Sequence, residues 1–308
     1  MTRRTRGIGP TYPIEWPTLL VAAIIYGGWM AVTWRHSAIP LWLLVPAGSW
    51  LVAWHGSLQH ETIHGHPTAW RRLNSLIGAV PLSLWLPYAH YRRTHLAHHA
   101  THAITDPAHD PEARYLTHGE GCAARLLVSG ERLQATLAGR LIVGPPLTIA
   151  RFLIAEMRRL AREPADTARD WLPHLAGVVA VGAWLALCDI RIATYLLAFV
   201  YPATSLTLLR SFAEHRAHTK PGHRVAIVEH GGPLALLFLN NNLHAAHHRA
   251  PNLAWYRLPA LYRRHRAQII RQNGGLRYNG YGEIARRYLF RPHDMLIHPD
   301  HERVVLQS

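Results

Sequence analysis

Three histidine clusters at helical spacing constrain this chain more than any other feature. They are His60-Glu61-Thr62-Ile63-His64-Gly65-His66, His95-Leu96-Ala97-His98-His99 and His244-Ala245-Ala246-His247-His248, and long apolar runs separate them. Residues four apart on a helix lie one turn above each other, so His60 and His64 can close on a single ion. In H-x-x-H-H the first and last histidines can share one ion while the neighbour of the last turns toward a second. The spacing therefore suits two adjacent metals, and the fold must bring three distant segments to one place.

The 24 histidines outnumber the 18 acidic residues, an excess of the commonest metal-ligating side chain. The formal charge of +15 is almost all arginine, since Lys220 is the only lysine. Such a balance suits nucleic acid, an anionic membrane face or an acidic partner. The arginines flank apolar runs and no DNA- or RNA-binding motif occurs, which argues against nucleic acid. Cys122 and Cys188 form no C-x-x-C pattern and no disulfide framework.

Apolar runs at about 17–34, 39–54, 171–188 and 192–209 approach the roughly 20 residues that cross a bilayer. Short connections pair them into two antiparallel hairpins. Arg3, Arg4 and Arg6, then Arg71, Arg72, Arg92, Arg93, Arg158, Arg159 and Arg162, place the amino terminus and all the histidine clusters on the cytoplasmic side. The segment from Leu73 to Tyr88, interrupted by Pro81 and Pro87, reads as re-entrant or interfacial. Apolar and basic residues interleave from Leu126 to Leu160, as in a helix lying along the interface and broken at Pro145 and Pro146. The tail, about 249–308, reads as a cytoplasmic cap. The expected fold class is all-α: one integral membrane domain over 1–308, with about four transmembrane helices in two hairpins and a cytoplasmic helical cap holding the histidine boxes.

The candidate metal ligands are His60, His64, His95, His98, His99, His244, His247 and His248, with His215 as a ninth. Further candidates, as added ligands or as groups that orient ligands through the far ring nitrogen, are His66, His90, His102, Glu61, Asp106 and Glu214. Asn242 is placed to bind a metal-held water. His55, His218 and His230 stand between ligand and bystander. His36, His109, His118, His174, His293, His298 and His301 read as caps or interfacial residues. Trp54, Trp85, Tyr88 and Tyr91 either line an apolar tunnel or form an interfacial belt.

In this order and setting, the boxes HETIHGH, HLAHH and HAAHH resemble the integral-membrane fatty acid desaturase superfamily, which includes hydroxylases and carotenoid ketolases. The stretches Arg210-Ser211-Phe212-Ala213-Glu214-His215-Arg216 and Asn241-Asn242-Leu243-His244 are similar to bacterial members. The resemblance runs roughly from His55 to Tyr256. It implies a bacterial inner-membrane enzyme with a non-haem centre of two iron ions held almost wholly by imidazole. It also implies dioxygen as co-substrate, external electrons and a lipid or acyl substrate. Nitrogen ligands by themselves suit iron, copper, nickel and zinc alike.

The chain has no cysteine set for an iron–sulfur cluster and no Gly-rich dinucleotide fingerprint, so electrons must come from outside. An acidic, ferredoxin-like donor at the arginine-rich face is the expected partner. Two other readings stand beside desaturation. One is a di-iron hydroxylase or ketolase, or a desaturase of a small amphipathic metabolite. The other, from a different class, is a histidine-rich membrane metal-binding or transport protein. That class expects ionisable residues inside its spans, and these spans are nearly free of them.

Overall fold

The computed structural model describes residues 14–116 and 122–300. Arg3, Arg4, Arg6, His118, His301 and the end of the tail lie outside the described residues.

The chain is mostly helical. Helix α1 (Trp16–Trp34) starts with Pro17 in its first turn and ends in a short 3-10 turn that returns the chain into α2 (Leu41–Ile63). The two helices make the first expected hairpin. Helix α2 does not stop where its apolar run stops, but continues through His55 to Ile63 and carries the first histidine box on its last turns. From Leu51 to Ile63 nearly every residue is buried, against α1, α3 (Arg71–Ala79) and α10 (Tyr201–Glu214).

Three helical segments among the described residues are long and apolar enough to cross a membrane: Trp16–Trp34, Pro164–Leu187 and Ile192–Glu214. The expected count was four. The run over 39–54 falls short because Pro46, Gly48, Ser49 and three tryptophans dilute its aliphatic residues. The outward faces of α1 and α8 (Pro164–Leu187) expose Leu20, Ile24, Leu172, Val179 and Leu187. Such uncovered apolar faces are what a bilayer solvates.

Segment 73–88 does not cross. Helix α3 has nine residues, about 14 Å of rise against roughly 30 Å of hydrocarbon. Residues 80–87 are irregular, and both prolines lie outside helices, Pro87 serving as the N-cap of α4 (Tyr88–Ala100).

The expected interfacial helix is three helices, α5 (Cys122–Gln134), α6 (Leu137–Ile142) and α7 (Gly144–Arg162). One break falls at Val143, immediately before Pro145 and Pro146. These sit in the first turn of α7, where a missing N–H removes no helical hydrogen bond. The other break lies before α6, which Thr136 starts, its hydroxyl accepting the N–H of Gly139 at 3.2 Å.

The second hairpin joins α8 to α9 (Ile192–Tyr195), a π-helical stretch Leu196–Val200 and α10. Cross-hairpin hydrogen bonds seat it: Trp29 Nε1 donates to Tyr195 Oη at 2.9 Å, and Trp184 Nε1 to Thr33 Oγ1 at 2.9 Å.

The π stretch packs Phe199, 0% exposed, onto Gly48 of α2. A Cβ at residue 48 would lie 2.4 Å from the Phe199 ring. Gly48→Ala is therefore expected to destabilise the fold by about 1–3 kcal/mol through overpacking. Thermal unfolding in detergent checks this; an unchanged midpoint would show that α2 has room to shift.

The tail contributes α11 (Pro233–Leu237), α12 (His244–Arg249), α13 (Leu258–Gln272) and α14 (Tyr281–Tyr288). It also contains strands, which the all-α expectation lacked. β1 (Ile227–His230) pairs in parallel with β2 (Arg277–Gly280), in the register Ile227↔Arg277. Four residues each give too little alternation to read as strands. They tie the tail to the segment before α12, with Val228 N–H donating to Asn242 O at 2.8 Å.

Candidate metal centre

Four parts of the fold meet on the side of α2 that carries its last turns. Helix α2 brings His60 and, at its C-cap, His64; α4 brings His95, His98 and His99. His215 follows the last residue of α10, and α12 brings His244, His247 and His248.

All nine imidazoles fall into two groups. His60, His64, His95, His99 and His247 form one, and His98, His215, His244 and His248 the other, with ligand atoms within 4.8 Å of each other inside each group. The division follows helix geometry. His95 and His99 lie one turn apart and enter the same group, while His98 points to the other. On α12 the shares reverse: His244 and His248 join His98, and His247 crosses to the α2 side.

Ring nitrogens face one another closely. His64 Nε2 and His95 Nε2 are 3.0 Å apart, His247 and His99 Nε2 3.1 Å, His244 and His215 Nε2 2.9 Å, and His98 and His248 Nε2 3.3 Å. Two nitrogens held about 2.1 Å from one ion, at right angles, would be about 3.0 Å apart. Nε2 of His60 is buried with no hydrogen-bond partner, a costly state for a polar atom unless an ion takes its lone pair. Both observations fit a metal site.

The far nitrogens are tied outward, which fixes the tautomers and turns Nε2 inward. His98 Nδ1 lies 2.9 Å from Asp110 Oδ1, and His95 Nδ1 lies 3.0 Å from Glu112 Oε1. His244 Nδ1 lies 3.1 Å from Asn241 Oδ1, whose Nδ2 donates to Glu214 Oε1 at 2.9 Å. His215 Nδ1 meets the carbonyl of Arg224 at 3.3 Å. Sequence reasoning missed Asp110, Glu112 and Asn241. Asp110 and Glu112 lie in the loop after α4, where periodicity says nothing; two carboxylates so close to a box in an acid-poor chain were the available signal.

Of the further candidates, Glu214 holds Asn241 and lies 3.4 Å from His244 Nδ1. Glu61 Oε1 is 3.6 Å from His60 Nδ1, and its Oε2 accepts the N–H of Trp255 at 3.1 Å. His66, His90 and His102 join neither group. His66 Nδ1 pairs with Glu15 at 2.7 Å, His90 Nδ1 with Glu156 at 3.1 Å, and His102 is exposed. Asp106 accepts from the N–H of Ala108 and pairs with His109. Asn242 donates to Val228 O at 2.7 Å. His55 meets Tyr26, His218 the N–H of Lys220, and His230 the Asn279 side chain. Among the histidines read as bystanders, His36, His109, His174, His293 and His298 stay outside both groups.

Beside the centre is a cavity of about 630 Å³, lined by Val52, Trp85, Tyr91, Thr207 and Phe212 and reaching His215 and Glu112. Of the four aromatics named from sequence, Trp85 and Tyr91 line it. Trp54 is buried in the core, and Tyr88 Oη meets Thr62 Oγ1 at 3.0 Å.

Burial pushes the imidazoles of His99 and His215 down to about 3, and His244, His247 and His248 well below the usual 6.5. They are neutral at physiological pH, with free lone pairs. Burial also works against charge on His98, but its bond to Asp110 outweighs this and raises it. Burial alone would raise Glu112, yet the His95 ring beside it holds that carboxyl well below the carboxylate range.

For the lowered imidazoles, the unfolded chain binds more protons between pH 6.5 and 3. Their share of stability is thus present above pH 6.5 and lost as pH falls toward 3. For the buried His244 and His247 the slope is about 1.4 kcal/mol per pH unit each. The thermal midpoint of metal-free protein is expected to fall steadily from pH 7 to 5; a flat profile would mean the rings are not packed together.

No curated protein matches the chain. The pattern of the fatty acid desaturase family, in contrast, matches residues 34–281, from the end of α1 to the start of α14. That stretch holds all nine clustered imidazoles and two of the three candidate spans. The expectation drawn from the three histidine boxes is met, and the chain belongs to the fatty acid desaturase family.

Proposed function

We propose that the protein is a membrane-bound di-iron oxidoreductase that desaturates a fatty acyl or similar aliphatic chain. The single observation that carries this reading is the sorting of nine imidazoles into two adjoining groups beside a cavity partly lined by apolar side chains. Iron held there would supply oxidation of an unactivated C–H bond at the expense of dioxygen and two external electrons.

The chain's own residues do the positioning. His60, His64, His95, His99 and His247 would hold one ion, and His98, His215, His244 and His248 the other. Asp110, Glu112 and Asn241 keep the far ring nitrogens engaged, so that Nε2 stays aimed inward. Val52, Trp85 and Phe212 give the substrate an apolar bed and exclude water. Displacing a reacting carbon by about an ångström can cost a hundredfold in rate. In this reading α2 is the fourth crossing, and the histidine groups lie on the cytoplasmic side of a bacterial inner membrane. There a ferredoxin-like acidic donor docks against arginines.

Mass spectrometry of lipids and small metabolites from cells expressing the chain, beside cells expressing His98→Ala, tests the proposal. A product lighter by two hydrogens that vanishes in the variant is expected. A product heavier by one oxygen would replace desaturation with hydroxylation, and a polar product would replace the acyl substrate with a small metabolite.

A further inference from the structure

The last described stretch of the chain lies beyond residues 34–281, the part that the family pattern matches. After α14 it meets two segments that serve the metal centre: the loop after α4, with Asp110 and Glu112, and the stretch from His215 to Arg224 that follows α10. Asp294 accepts from Tyr115 Oη and, at 2.7 Å, from the N–H of Ala217. The N–H of Leu116 donates to Leu296 O at 2.9 Å, and Ile297 pairs with Leu116 in a single β-bridge. Buried His298 places Nε2 3.0 Å from Thr105 Oγ1, and Asp300 Oδ2 accepts from Arg224 at 2.6 Å.

Arg224 has one of the largest fully buried side chains in the fold and is 1% exposed. A guanidinium carries five donors in one rigid plane, and here they reach three separate segments. Nε donates to His218 O at 2.6 Å, Nη1 to Ile104 O at 2.9 Å and Nη2 to Asp300 Oδ2. A buried guanidinium needs a counter-charge, and among the described residues Asp300 is the carboxylate paired with it. The backbone of the same residue serves the centre: its carbonyl meets His215 Nδ1 at 3.3 Å, which leaves His215 Nε2 to face His244.

Thr105 forms a second arm. It is β-branched, yet its φ of 74° lies in the left-handed region, a conformation that persists only where the surroundings impose it. Arg224 fixes the carbonyl before it, His298 meets its hydroxyl, and its N–H donates to Asp110 Oδ2 at 2.8 Å. Asp110 in turn holds His98. The tail thus reaches His215 through one residue and His98 through two, and both rings belong to the group of His244 and His248.

We propose that residues 293–300 latch this second histidine group. Asp300 acting through Arg224, and His298 acting through Thr105 and Asp110, hold His215 and His98 in the positions that receive an ion. Arg224 is the positioning residue on which the two arms meet. The inference rests on the two-metal reading for the ion and is independent of the reaction and its substrate.

Cobalt(II) binding to the metal-free, full-length protein in detergent tests the latch. In His247→Ala the second group alone is complete. There Asp300→Ala is expected to weaken cobalt binding about tenfold, and Asp300→Glu, which keeps the carboxylate, to restore most of the loss. In His248→Ala the first group alone is complete, and Asp300→Ala should leave its affinity unchanged. An equal loss in both backgrounds would reduce the latch to general stability and overturn the proposal, as would no loss in either. The unaltered protein gives a second measurement that needs no variant to fold. Linkage is reciprocal, so an ion that the tail helps to hold must also help to hold the tail. Amide exchange in peptides covering 104–105 and 296–300 is expected to slow about tenfold on cobalt loading. Unchanged exchange there despite bound cobalt overturns the latch alone, whereas no bound cobalt overturns the two-metal reading and the latch with it.

Discussion

Replacing His247 with alanine is expected to reduce bound metal from two ions per chain to about one and to lower turnover by at least about a hundredfold. The ring is 1% exposed, and its Nε2 lies 3.1 Å from His99 Nε2, in the group that α2 and α4 otherwise supply. Its removal leaves His60, His64, His95 and His99 around a hole that no other side chain on α12 reaches. His248→Ala, one residue away, should instead deplete the group of His98, His215 and His244. His102→Ala, exposed and outside both groups, should keep both ions. Metal analysis of purified protein decides the matter. Equal metal in all three variants would mean that the imidazole groups do not hold ions.

Changing Asp110 to asparagine should weaken metal binding by about 10–100-fold while leaving all nine imidazoles in place. Asp110 is 4% exposed. It accepts from His98 Nδ1 through both oxygens at 2.9 and 3.0 Å, from Thr105 N–H at 2.8 Å and from Glu112 N–H at 2.9 Å. An amide has one acceptor oxygen, so its NH₂ must face one of these donors, and His98 loses the partner that fixes its tautomer. Asp106→Asn, four residues earlier, alters a carboxylate that accepts the N–H of Ala108 and pairs with exposed His109, and should leave metal affinity unchanged. Competition with a chelator measures both. Identical behaviour of the two variants would remove Asp110 from the centre.

The contrast between Asp110 and Asp106 shows where sequence reading stopped. Helical spacing foretold how each box divides, because i, i+3 and i+4 relations are fixed by the helix itself. It foretold that His98 parts from His95 and His99, and that His247 parts from His244 and His248. It could not choose between two aspartates in an irregular loop, since loop geometry is set by tertiary contacts such as Thr105 Oγ1 with His298 Nε2 at 3.0 Å and Arg224 Nη1 donating to Ile104 O at 2.9 Å. The apolar runs likewise announced α1, α8 and the helical segment from Ile192 to Glu214. Helix α2 is less apolar, because Pro46, Gly48, Ser49 and three tryptophans interrupt its aliphatic residues, while Leu41, Trp42 and Leu43 at its start are exposed. The prolines of α7 mark a break, as the sequence reads, and the chain breaks just before them because they start the next helix. Strands β1 and β2 are held by their pairing across 50 residues of chain, a relation that local pattern does not carry.

The crossing of His98 and His247 has a thermodynamic consequence. Helices α4 and α12 each serve both groups, so an ion seated in either one fixes the helices that present ligands to the other. In the proposed two-ion reading, the ordering entropy would be spent on the first ion, and the second would meet a finished cage. The two binding equilibria would then be linked, and linkage is reciprocal. Singly loaded chains should therefore be scarce at half saturation, with empty and doubly loaded molecules side by side.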